Sequence, residues 1–257
     1  MKDFLTGAGE AQGAFSWQHL TFVTSLLAIM VFFAVFFGRR NRNTDDKAKN
    51  NILIWTAFLI NGFELLKIVI GCIYSDNILE SLSNDLPLYL CSIQLITIPL
   101  AAFTRGRVKE ASLDFVFIFG LLGAVLGTYG AAQNYAAYPV LSFPNLVSGI
   151  THTIAGFASL YILLAGMASM KLKNAWISYS ILGCFGIVAY IVNILLDKNY
   201  MFLMRDDSTP YFIFYNMVNG NKVLYPIIVI LTLALWITIF YGIFHMIKRR
   251  NKEKSSR

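Results

Sequence analysis

Apolar residues in this chain gather in runs too long for a soluble core. Seven stretches, at 17–37, 52–73, 86–103, 112–130, 145–168, 175–196 and 223–247, carry few charges. Each is roughly 18–25 residues, enough for a helix to cross a hydrocarbon layer about 30 Å thick. With 57% hydrophobic and 14% charged residues, the chain lies outside the balance of a soluble globule. The expected fold is all-α: a polytopic seven-transmembrane-helix bundle, with residues 1–257 forming one domain and no room for a separate soluble one.

The net charge of +7 is sorted by loop and is not spread as a nucleic-acid footprint. Arg39, Arg40, Arg42, Lys47 and Lys49 follow the first run. Arg105, Arg107 and Lys109 follow the third, Lys171 and Lys173 the fifth, and a basic tail closes the chain from Lys248 to Arg257. The alternate loops hold only Lys2, Lys198, Arg205 and Lys222, with most of the acids. The positive-inside rule therefore predicts an amino terminus outside and a carboxy terminus in the cytoplasm. The acidic amino-terminal stretch argues against a cleaved signal peptide.

Polar residues inside the runs mark where chemistry is affordable. Asn61, Glu64 and Lys67 share a face of the second run, and the two charges should pair or face a wet cavity. His19 sits at an aromatic, polar helix start that suits the headgroup level. Gly120, Gly123, Gly127 and Gly130 form a stripe within about 80° on the fourth run, which reads as a packing surface. Residues 131–144 read as an outer loop dipping into the interface. The aromatic loop from Lys198 to Lys222 reads as lying on or partly in the outer leaflet. Cys72, Cys91 and Cys184 give no disulfide framework. A Cys72–Cys91 bridge is geometrically conceivable, and apolar packing suits Cys72 and Cys184.

Two residues stand out. Pro87 suits the first turn of a helix, so the third run is predicted to be helical from Leu86, with Cys91 about 7 Å below its start. His152 lies one to two turns into the fifth run, with Ser148 one turn before it. Both runs enter from the outside under the predicted topology, so the thiol and the imidazole share a leaflet. Asn193 and Asp197 at the end of the sixth run, Glu64, Lys67 and the 199–203 loop map to that same half. The inner half holds little beyond basic loops. A cysteine beside a histidine makes a nucleophile, and the accessible electrophile in a membrane is an acyl ester. Gln94 could donate to the oxyanion, or Asn193 or Tyr200 instead. Glu64, Lys67, His19 and Asp197 would form a supporting polar cluster. Nothing in the pattern calls for a cofactor or a metal.

The element Leu86-Pro-Leu-Tyr-Leu-Cys91, the helix bearing His152, and Asn193 followed by Asn199-Tyr200-Met-Phe-Leu203 and Pro210 resemble the YwaF-like family of bacterial integral membrane proteins. That family is related to a vertebrate multispanning acyltransferase family that remodels ether phospholipids. The resemblance implies a seven-helix fold in a bacterial plasma membrane. It also implies lipid acyl transfer by Cys91 and His152, with a phospholipid as donor and a lysolipid, a lipoprotein amine or water as acceptor. Tyr89 stands where the family often has a histidine. Two alternatives remain open: a transporter or small-ligand carrier lined by Glu64, Lys67, Asn193 and Asp197, and a non-catalytic membrane scaffold.

Overall fold

A computed structural model describes residues 1–207 and 209–255; Arg257 of the basic tail lies outside the described residues. Among the described residues, six helices are long and apolar enough to span a membrane, and a bent helix pair makes up to seven. They are α2 (Trp17–Asn41), α3 (Asp46–Tyr74), α6 (Gly106–Tyr129), α8 (Phe143–Leu164), α9 (Ala175–Leu196) and α11 (Leu224–Ser255). The bent pair is α4 (Ile78–Asp85) and, after a 3₁₀ turn at Leu90–Ile93, α5 (Gln94–Phe103), with 79° between them. Short helices α1 (Lys2–Thr6), α7 (Ala132–Ala137) and α10 (Phe212–Met217) lie in the connections. The protein is all-helical and multi-pass.

The outside of the bundle is apolar. Phe32, Phe36, Ile187, Leu195, Leu231 and Leu235 are exposed, as lipid-facing side chains must be. The centre is formed by α6 and α8, which pack along one another. Residues Ala111 to Gly120 of α6 are buried without interruption, so this half of the helix is enclosed on every side. Helix α2 packs on α8, α3 on α5 and α8, and α9 on α11.

The third run departs from its expected form. Helix α4 stops at Asp85, and Leu86 turns extended ahead of Pro87 because the proline ring disfavours helical geometry at the preceding residue. Tyr89 is extended too, so the proline ends one helix and does not begin the next. Cys91 thus lies in a 3₁₀ turn at the start of a broken span. Pro99, inside α5, has no N–H for the carbonyl of Leu95. Asn61 of α3 compensates: its Nδ2 donates to that carbonyl at 3.2 Å and to Ala57 O at 3.0 Å.

The end of the bundle opposite Cys91 is also richer than expected. Asp114 of α6 is fully buried and accepts from the N–H groups of Ser169 and Met170, each at 2.8 Å. The hydroxyls of Ser169 at 2.9 Å and Tyr241 at 3.1 Å complete its shell. Glu110 pairs with Lys171 at 2.5 Å and accepts from Asn174 at 2.8 Å, which extends the network to the surface. The loop after α9 turns inward: Tyr200, Met201 and Leu203 join the core cluster, because the amide of Asn193 holds the loop backbone beneath it.

Candidate active site

The 3₁₀ turn that carries Cys91 is set by Tyr89, whose carbonyl accepts from Ser92 N–H at 2.9 Å. The N–H of Gln94 closes on the carbonyls of Cys91 and Ser92. The partly buried Cys91 thiol lies within interaction range of the His152 imidazole from α8. The other ring nitrogen of His152, Nδ1, lies 2.7 Å from the carbonyl oxygen of Ser148. A carbonyl only accepts, so Nδ1 carries the proton and Nε2 is left to meet the sulfur. Ser148 therefore acts through its backbone, fixing the tautomer that a general base requires.

Two glycines on α6 make the approach possible. Gly127 lies against His152, where a Cβ would collide with Cδ2 and Nε2 of the ring. At Gly123 a Cβ would stand 3.8 Å from Cys91 Cβ, in ordinary contact. The stripe does more than let helices pack. One member shapes the seat of the imidazole, and another faces the sulfur-bearing residue.

Gln94, one residue into α5, is 1% exposed. Its Oε1 accepts from Thr97 at 3.1 Å, while its Nε2 is buried without a partner. A buried amide donor costs free energy unless something accepts from it.

The remaining candidates divide. Asn193 Nδ2 donates to Tyr200 O at 3.0 Å and its Oδ1 accepts from Tyr200 N–H at 2.6 Å, so both ends of its amide are committed to the loop. Tyr200 donates its hydroxyl to the Ser83 carbonyl and meets Tyr89 edge-on, with ring centroids 5.4 Å apart. These two residues brace the segment leading to Cys91. Lys67 pairs with Glu64 at 2.7 Å and, across to α4, with Asp85 at 3.5 Å. Its ammonium lies within electrostatic range of both Cys91 and His152.

Asp197 is exposed and ends α9 in the left-handed conformation, apart from that ion pair. His19 is completely buried elsewhere: Nδ1 accepts from Phe15 N–H at 2.9 Å, and Nε2 donates to Thr128 O at 3.1 Å. It also stacks on Tyr135. Among the described residues, no hydrogen bond or ion pair joins His19, Asn193 or Asp197 to Glu64 and Lys67. The expected single polar cluster is therefore several local devices, each satisfying its own groups. Asp85 and Gly127 were missed as participants. Asp85 falls in a short helix that reads as loop, and a glycine advertises packing but not what it packs against.

No curated protein and no solved structure matches the chain. A family model described as the TMEM164 family matches residues 14–242, most of its length. The bundle, its broken third span and the paired Cys91 and His152 are thus features of a chain that belongs to the TMEM164 family.

Proposed function

We propose that the protein is a membrane lipid acyltransferase working through a thioester on Cys91, in the outer leaflet of a bacterial plasma membrane. The observation that carries this reading is the Cys91 thiol and the His152 imidazole seated on neighbouring glycines of one helix, with the imidazole tautomer fixed by the Ser148 carbonyl. His152 Nε2 takes the thiol proton as the sulfur attacks the carbonyl carbon of a phospholipid ester. The Nε2 donor of Gln94 stabilises the oxyanion. The C–O bond then breaks, His152 returns the proton to the departing alkoxide, and a lysolipid leaves behind the acyl thioester. An acceptor hydroxyl or amine gives a proton to His152, attacks the thioester and releases the thiolate, which recovers that proton. No net oxidation occurs and no cofactor enters the cycle. The charge sorting among loops supports the outer-leaflet assignment.

Intact-mass measurement after incubation with phospholipid tests this directly. The expected result is one acyl increment that neutral hydroxylamine removes and that Cys91→Ala lacks. If Cys91→Ala carries the same increment, or the folded wild type never acquires one under turnover conditions, the proposal fails. Gln94→Ala is expected to slow acylation by about 10²–10³-fold, the usual loss for one oxyanion donor. A rate within threefold of wild type would remove Gln94 from that role.

A further inference from the structure

A groove of about 510 Å³ lies between the amino-terminal residues, the first turns of α2 and the start of α8, and takes no part in the chemistry above. Its size falls within the range of small-ligand pockets, about 300–1,000 Å³. Its wall is built in advance. Gly7 adopts φ 73° beside the Tyr138 ring, and Gln12 Oε1 accepts from Val140 N–H at 2.8 Å. Phe4 meets Phe143 edge-on.

The lining has a definite polarity. Asp3 is its only ionisable side chain and makes no ion pair among the described residues. Trp17, 73% exposed, lines the same groove with its indole, and Leu141 and Phe22 make the groove apolar. Ser142, at the N-cap of α8, also lines the groove; it is 3% exposed, and its hydroxyl is buried without a partner. Pro144 in the first turn of α8 brings no N–H, but the N–H groups of Phe143 and Asn145 have no intrahelical acceptor, so an anion is favoured at that end.

We propose that this groove binds a phospholipid whose headgroup ends in an ammonium group. The ammonium lies between the Asp3 carboxylate and the Trp17 ring, where charge attraction and cation–π attraction act together. The phosphate faces the start of α8 and gives Ser142 the acceptor it lacks. The chain leaves along the apolar wall into the bilayer. A headgroup without a cation would leave Asp3 facing a phosphate uncompensated, so acidic lipids are disfavoured. The site is separate from Cys91 and does not rest on acyl transfer.

The full-length Cys91→Ser protein in a neutral detergent, titrated with lysophosphatidylcholine or lysophosphatidylglycerol of one chain length and read by native mass spectrometry, tests it. The choline lipid is expected to bind at least tenfold more tightly. Asp3→Asn should reduce that preference to threefold or less while Asp3→Glu keeps it, and Trp17→Leu should weaken the choline lipid about fivefold. Equal binding of the two lipids by the starting protein, or a preference unchanged in both Asp3→Asn and Trp17→Leu, would overturn the proposal. Monodisperse elution of each variant separates these outcomes from misfolding.

Discussion

Gly127→Ala is expected to reduce acylation of Cys91 by about a thousandfold while leaving the thiol in place. The added methyl would stand 2.0 Å from His152 Cδ2 and 2.2 Å from Nε2, far inside contact distance. The ring must swing away, and the Nδ1–H bond to Ser148 that fixes its tautomer goes with it. General-base assistance contributes about 10²–10⁴-fold, so misplacing the base forfeits most of that factor. Gly123→Ala is the matched control. Its methyl would meet Cys91 Cβ at 3.8 Å, an ordinary contact, and a rate within about threefold of wild type is expected. Acylation rates followed by intact mass distinguish the two. Equal effects at both glycines, or none at Gly127, would show that the seat of the imidazole does not control the reaction.

The second large effect is on stability and lies at the other end of the bundle. Asp114→Ala removes the acceptor for two backbone N–H groups and two hydroxyls. Each buried donor left without a partner costs about 1–3 kcal/mol, and Met170 and Tyr241 are 2% and 1% exposed. A loss on the order of 3–5 kcal/mol is expected, with Asp114→Asn falling between it and wild type because an amide oxygen still accepts. Thermal unfolding in detergent, followed by circular dichroism or thiol accessibility, measures it. A change below about 1 kcal/mol would mean that water satisfies the donors.

The spans were legible in the sequence because hydrocarbon imposes a length and excludes charge, and α9 runs over 175–196 as its apolar run indicates. The break before Cys91 was harder. Pro87 is compatible with a helix start and with a helix stop, and only the packing of α4 on α3, through Lys67 and Asp85, selects the second. Helix α4 itself is short and mixed in polarity, so it reads as loop. A lone acid near the start of the fourth run was a visible signal for the Asp114 network, but its donors come from residues 55 to 127 positions away. Cysteine and histidine could be placed at one end of the bundle by counting residues, whereas the positions of Gly127 and the Ser148 carbonyl depend on backbone geometry that side-chain chemistry does not disclose.

The interrupted third span also sets a depth. Cys91 faces Gly123, which lies six residues before the end of α6, about 9 Å along that helix at about 1.5 Å per residue. The sulfur is therefore sunk beneath the rim of the bundle. In the proposed acyl transfer, a donor already resident in the leaflet would meet it by sideways diffusion. A soluble thioester carrier would have to be drawn down through the interface, so the architecture favours exchange between lipids over charging from the aqueous phase.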